Sequence, residues 1–242
     1  MLGAYRIEAR GKEVRAGLRG KAKELLAFYL LHPEGTTLEQ ATETLWPEVD
    51  GRRGSEWFWT ALGNLRSRLR TVTGDPDLKV IEREGDQYKV EPVFEVDLWE
   101  FEGALARAEA AASSENHDWP DQLQDTADLY TGDLLATAGW PWVRACREDL
   151  RGRAVDVLVS LAGARGRAGE VKAALAALER AIEVDPLAEQ LYRRVMRLHA
   201  KLSQPDQADA AFKSLVGRLG EFDLRPSPES EKLHTELCAA PS

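Results

Sequence analysis

One stretch constrains this chain more than any other. In residues 55–70, Ser-Glu-Trp-Phe-Trp-Thr-Ala-Leu-Gly-Asn-Leu-Arg-Ser-Arg-Leu-Arg, the apolar residues Phe58, Ala61, Leu62, Leu65 and Leu69 recur at spacings of three and four. That spacing places them on one stripe of an α-helix. Arg66, Arg68 and Arg70 gather at its C-terminal end, where the helix dipole favours cations. Trp57-Phe58-Trp59 are consecutive and so span about 200° of a helix. The spacing gives Phe58 to the core and leaves Trp57 and Trp59 to pack beside it. Gly74-Asp75-Pro76 is an exit turn, and Val80 to Val90, centred on Gly85-Asp86, has the pattern of a β-hairpin.

The residues upstream add two shorter helices. Tyr5, Ile7 and Ala9 alternate with Arg6, Glu8 and Arg10, which predicts a β-ribbon in residues 2–19 with its turn at Gly11-Lys12. Ala22, Leu25, Leu26, Tyr29 and Leu30 predict a helix from Lys21 to His32, ended by Pro33-Glu34-Gly35. Thr37 with Gln40 three residues on is a capping box, so a second helix runs through Leu38, Ala41, Thr42, Leu45 and Trp46 until Pro47 stops it. Gly51 to Gly54 read as a polar loop, with Ser55 as the cap of the long helix. Two helices, a longer third helix and a hairpin, in that order, are the layout of a winged helix-turn-helix. Glu91-Pro92 closes it.

The remainder is helical and repeats itself. Residues 97–112 are Ala-rich; a polar loop follows at Ser113–Asp118, then a helix from about Pro120 to Tyr130 and a turn at Gly132-Asp133. After Trp140-Pro141-Trp142 a long helix reaches about Arg165. Helix pairs near 152–166 with 170–184, and 187–201 with 205–219, recur at an offset of 35 residues. This is close to the roughly 34-residue period of tetratricopeptide repeats. A last helix at about Ser227 to Leu237 caps the array. The expected fold is thus mainly α: a small winged helix-turn-helix domain over residues 1–95, then an all-α tetratricopeptide-like array over residues 96–242.

Charge divides along the same line. Residues 1–96 hold 15 Lys and Arg against 16 Asp and Glu, whereas residues 97–242 hold 17 against 25. Phosphate contact needs cationic side chains that release counterions. Nucleic acid is therefore expected at a local patch of the first half, not on the acidic second half. No apolar run approaches the roughly 18 residues of a membrane-spanning helix, and the N-terminus lacks a secretory layout; with two cysteines that form no disulfide framework, a reducing cytoplasm is the expected setting. The abrupt start fits a portion of a longer polypeptide. Cys146 and Cys238 are too far apart in sequence to define a disulfide framework or a metal cluster, and His32, His117, His199 and His234 have no partner at metal-ligand spacing. No metal or cofactor is expected. Asp206 and Asp209, near the start of a helix, read as dipole complements. Catalytic motifs are absent, and Gly163 to Gly169 lacks the Lys-Ser/Thr that grips phosphate; an enzyme is not expected.

The second half resembles the bacterial transcriptional activation domain. The resemblance rests on Val96-Asp97-Leu98-Trp99-Glu100-Phe101, Leu129 to Leu135, Trp142 to Leu150, Leu178-Glu179-Arg180-Ala181, Asp185 to Glu189 and Arg225-Pro226-Ser227-Pro228-Glu229, in that order. The first half resembles the winged helix that precedes this domain in SARP-family regulators, through Leu45-Trp46-Pro47, Ala61 to Arg66 and Gly85 to Val90. The resemblance implies transcription activation: the helix at 55–70 in the major groove of promoter DNA, the hairpin near the minor groove, and contact with RNA polymerase or another regulatory protein. A small effector and a homodimer stay open.

The residues expected at DNA are Arg52, Arg53, Thr60, Asn64, Arg66, Ser67, Arg68, Arg70 and Lys89. Asn64 matches adenine and Arg66 matches guanine or phosphate; Arg52 and Arg53 precede a helix N-terminus that favours phosphate. Against this, Gly63 costs about 1 kcal/mol relative to Ala in mid-helix and offers no side chain to a base. The alternative is a winged helix with a degenerate DNA face, joined to an array that binds a protein or small effector as a module of a larger regulator. Trp140, Trp142 and Tyr130 are expected to be structural aromatics.

Overall fold

The computed structural model describes residues 1–14, 17–112 and 119–238; the loop expected at Ser113–Asp118, with His117, lies outside them. The chain forms two compact units. One comprises Met1–Trp99 with Leu134–Cys146, and the other Glu100–Asp133 with Arg147–Ser242.

The first unit is a winged helix. A short ribbon pairs β1 (Glu8–Ala9) with β2 (Lys12–Glu13). Its turn is Arg10-Gly11, both at positive φ, one residue earlier than the expected Gly11-Lys12. The fold continues with α1 (Gly20–Leu31), β3 (Thr36–Thr37), α2 (Leu38–Leu45) and α3 (Gly51–Thr73). The hairpin is β4 (Ile81–Glu84) and β5 (Gln87–Val90), with Glu84 facing Gln87 across the Gly85-Asp86 turn. β3 adds to β5, giving an antiparallel sheet of order β3-β5-β4.

The capping box at Thr37 and Gln40 starts α2. Where the sequence predicts a loop at Gly51–Gly54 and a cap at Ser55, α3 is already formed. Asp50 is the true cap and accepts from the Arg53 N–H at 2.9 Å. A carboxylate is a strong cap, and two glycines in one turn disguise a helix that tertiary packing enforces. Gly54 sits where α2 crosses: a Cβ there meets the Thr42 Cβ at 3.1 Å. At the far end Gly74, at φ 68°, provides the left-handed C-cap.

The core lies between α1, α2 and α3. Leu25, Leu26, Tyr29, Phe58, Leu62, Leu65 and Ile81 are fully enclosed. Residues 134–146 return to this unit. Leu2 bridges Leu134, and the Leu135 and Ala136 N–H groups donate to Met1 and Gly3 carbonyls. Trp140 and Trp142 stack at 5.9 Å, Tyr5 meets Trp140 edge-on, and Phe28 meets Trp142, so the two tryptophans are structural.

At the bottom of this aromatic cluster Glu24 is buried, and its two carboxylate oxygens accept from the Trp46 Nε1–H at 3.1 Å and the Trp142 Nε1–H at 3.0 Å. The Lys21 ammonium lies over the Trp57 ring at 3.3 Å, a cation–π contact. Burial raises the Glu24 pKa; the two indole hydrogen bonds oppose that rise without cancelling it.

In the second unit α4 (Asp97–Ala112), α5 (Trp119–Leu129) and α6 (Val143–Arg167) precede α7 (Val171–Val184), α8 (Glu189–Lys201), α9 (Pro205–Gly220) and α10 (Pro228–Cys238). Asp97–Trp99 of α4 and Val143–Cys146 of α6 belong to the first unit. α7 packs on α8, α8 on α9, and α10 on both α8 and α9. Tyr192, Leu215 and Leu219 form an enclosed cluster there, with Ile182 and Phe212 against it.

The Arg225-Pro226-Ser227-Pro228-Glu229 phrase has a specific task. The Ser227 N–H and hydroxyl and the Ser230 hydroxyl all donate to the Glu189 carboxylate, at 3.0, 2.7 and 2.6 Å to Oε2, and Arg193 donates to the Ser230 Oγ at 3.0 Å. Pro228 supplies the first helical residue. Burial alone would raise the Glu189 pKa, but the hydrogen bonds from Ser230 and Ser227 outweigh it and hold the carboxyl below its ordinary value.

The buried Glu24 and the half-buried Glu189 each set a stability prediction. Glu24→Ala leaves two indole N–H groups without their acceptor and should cost about 1–3 kcal/mol for each group left unpaired, read by urea unfolding. Because the folded state holds the Glu24 proton more tightly than the unfolded chain, this residue makes stability fall as pH rises from the ordinary glutamate range through the raised folded value; Glu24→Gln should flatten that slope. Glu189 acts with the opposite sign. Its contribution is full above the ordinary glutamate value and is lost as pH falls through the lowered folded one. Ser230→Ala should cost about 1.5–3 kcal/mol and weaken that acid dependence.

Candidate nucleic-acid interface

α3 divides cleanly into two faces. Phe58, Ala61, Leu62, Leu65 and Leu69 are buried. Arg52, Arg53, Glu56, Trp59, Thr60, Gly63, Ser67 and Thr71 are exposed along the opposite side. The stripe read from the sequence is the one the core uses.

The expected DNA-contact residues separate into two groups. Arg52, Arg53, Thr60 and Ser67 lie on the exposed face. Arg52 is 90% exposed and pairs loosely with Glu56 at 3.5 Å. The Arg53 guanidinium lies 5.5 Å from the Trp57 ring centre. The Thr60 hydroxyl donates to the Glu56 carbonyl at 2.8 Å, which leaves its oxygen able to accept.

Asn64, Arg66 and Arg70 bond to other elements of the fold, and Arg68 and Lys89 lie partly buried beside neighbouring groups. The Asn64 side chain accepts from the Arg19 N–H at 3.0 Å and donates to the Gly17 carbonyl at 3.2 Å, so it fastens the start of α1 to α3. Arg66 donates to the Ile81 carbonyl at 2.6 Å and pairs with Glu82 at 2.9 Å; Arg70 donates to the Leu78 carbonyl at 3.0 Å. Both tie α3 to the approach and first strand of the hairpin. Arg68 lies against Gly17: a Cβ there meets its Cδ at 3.2 Å. Lys89 pairs with Glu84 at 2.7 Å across the hairpin. Helical spacing turns Asn64 and, partly, Arg66 and Arg70 outward, but their partners lie in other elements, and spacing carries no sign of them.

The exposed cations of α3 gather at one end only. The exposed face carries Arg52 and Arg53 at its N-terminal end, then Glu56, and from Trp59 to Thr71 its exposed residues are uncharged. The hairpin and its exit hold Glu82, Glu84, Asp86 and Glu91 against Arg83 and Lys89. Between α2 and the start of α3 lies a groove of about 460 Å³ whose lining includes Glu39, Glu43 and Asp50, a poor seat for phosphate.

Trp59 is a large aromatic on the exposed face of α3. It is 50% exposed, with one edge on Phe58 and another on Tyr88 of β5. The signal was the run Trp57-Phe58-Trp59, in which only one residue can face the core. Trp57 takes the other flank, against Trp46 and Lys21.

Since Arg66 is a strut, Arg66→Ala should lower stability by about 1–3 kcal/mol in urea unfolding, in the absence of any nucleic acid. An unchanged unfolding midpoint would mean that the Ile81 and Glu82 contacts carry no weight.

Comparison with known proteins supports this architecture. Residues 96–238 match the family model of the bacterial transcriptional activator domain. Among curated proteins, none matches the sequence. The solved structure of Mycobacterium tuberculosis EmbR in complex with low affinity phosphopeptide is similar with a TM-score of 0.72 at 20% sequence identity, over 100% of this chain and 64% of that one. The chain thus spans just under two thirds of the EmbR chain, with the same fold. It belongs to the bacterial transcriptional activator domain family, and in it that domain follows a winged helix.

Proposed function

We propose that the chain is a DNA-binding transcription regulator of activator type. The outward face of α3 enters the major groove, the β4–β5 hairpin lies beside it, and residues 96–242 form the scaffold for RNA polymerase, another regulator or a second protomer. One observation carries this reading: α3 keeps an exposed face more than four turns long, from Arg52 to Thr71, in which Glu56 is the one acidic residue and is already paired with Arg52. Arg52 and Arg53 would meet phosphate, while Thr60 and Ser67 would offer hydroxyls to base edges.

With so few exposed cations, affinity is modest. Each neutralised phosphate contributes about 0.9 to the slope of log affinity against log salt, so two arginines support a slope near −2. Such a protein needs a second protomer or a polymerase contact for tight promoter occupancy, and the acidic array is suited to that part rather than to DNA. It would act in the cytoplasm, beside the chromosome.

A second reading is favoured by a specific observation. Asn64, Arg66 and Arg70 are engaged inside the fold, and the half-exposed Trp59 sits mid-face beside an acidic hairpin. These are features of a winged helix that docks on protein, within a module of a larger regulator.

Electrophoretic shifts with genomic fragments across a salt series separate the two readings. The proposal predicts binding at low salt with a shallow slope, and weakening of about tenfold or more when Arg52→Ala and Arg53→Ala are combined. No shift at low salt, or an unchanged affinity in the double variant, would replace promoter contact by the protein-docking reading.

A further inference from the structure

We propose that α9 and α10 carry a zinc site formed by Asp209, His234 and Cys238. Among the described residues these three bring a carboxylate oxygen, an imidazole nitrogen and a sulfur within 4.8 Å of one another. His234 and Cys238 are four residues apart on α10 and share one face, and Asp209 faces them from α9.

The arrangement is partly preorganised. His234 Nε2 donates to Asp209 Oδ1 at 2.8 Å, and the imidazole stacks on Phe212 at 4.2 Å with 9° between the planes. Phe212 thus fixes the ring so that Nε2 points at the carboxylate. The other carboxylate oxygen, Oδ2, is held by Lys213 at 2.6 Å. That leaves Oδ1 as the metal ligand and gives it the kind of outer partner that orients ligating carboxylates. Asp209 and His234 are half-buried and Cys238 is exposed, so an ion can reach the site from solvent.

A mixed nitrogen, sulfur and oxygen donor set suits a borderline ion, and three protein ligands with a fourth, open position suit zinc. Starting from the neutral imidazole and thiol, the Cys238 S–H bond breaks, a Zn–S bond forms and the proton goes to solvent. The imidazole proton moves through solvent from Nε2 to Nδ1 as the hydrogen bond to Asp209 is exchanged for a bond to zinc. One proton is released for each ion bound, and no electron changes hands. Because the ligands come from two helices, zinc pins α10, the last helix of the array, to α9.

The test uses the full chain without an affinity tag. Cobalt chloride is titrated as a spectroscopic probe and zinc chloride is used to displace it. The expected result is one ion per chain, a thiolate-to-cobalt charge-transfer band that zinc abolishes, and a zinc-dependent rise in melting temperature. Cys238→Ser should remove the band, whereas Cys146→Ser should keep it. His234→Ala and Asp209→Asn should each weaken binding by about 100-fold or more, beyond the range seen for loss of an outer partner. A band that survives in Cys238→Ser, binding unchanged in His234→Ala, or the absence of a stoichiometric cobalt complex in the wild type overturns the site. Cys238 lies at the exposed end of α10, so its serine variant tests the ligand without disturbing the core.

Discussion

Everything the first unit can do depends on how α3 is rotated about its own axis. Five buried side chains, Phe58, Ala61, Leu62, Leu65 and Leu69, set that rotation. Burying a large apolar side chain is worth about 1.5–3 kcal/mol, so no single surface contact can turn the helix against the stripe. Polar struts then lock what the stripe has chosen. Asn64 fastens the helix to the start of α1, and Arg66 and Arg70 fasten it to the hairpin. The face that remains, from Arg52 through Thr60 and Gly63 to Ser67, is a consequence of that packing. It is narrower and less cationic than a list of outward-facing polar residues suggests.

The same division explains what could be read from the sequence and what could not. Local signals were legible. The Thr37–Gln40 capping box, the Gly74 C-cap, the Gly85-Asp86 turn and the repeated helix pairs each depend on neighbours a few residues away, and each has its expected place. The start of α3 was not legible. Gly51 and Gly54 have poor helical propensity, and only the close approach of Thr42 shows why Gly54 is required. Helical spacing and the order of elements put Arg66 at DNA, and nothing local to α3 signals its partners, the Ile81 carbonyl and Glu82 of the hairpin. The return of residues 134–146 to the first unit was equally hidden: Trp140 and Trp142 announce a packed aromatic cluster, but Glu24, the group that accepts from Trp142, lies 118 residues away.

The second unit shows how sparse polar contacts organise an Ala-rich array. Small residues such as Ala174, Ala177 and Ala181 on α7 let helices approach closely, but they specify little. Position is set by charged groups with several partners. Glu189 gathers Ser227 and Ser230 at the start of α10, and Asp133 is paired with Arg151. The Asp209–His234 pair is a further example, and its two residues lie 25 positions apart, on α9 and α10.

The account rests on the claim that the outward side of α3, and not its strapped-down arginines, meets a polyanion. Amide chemical-shift changes on adding duplex DNA at low salt test it residue by residue. The account predicts that the largest changes fall at Arg52, Arg53, Thr60, Gly63 and Ser67, while the buried stripe and the Ile81–Glu82 edge stay still. Changes concentrated at Arg66 and Arg70, with release of the hairpin, would contradict it, as would a spectrum that DNA leaves untouched.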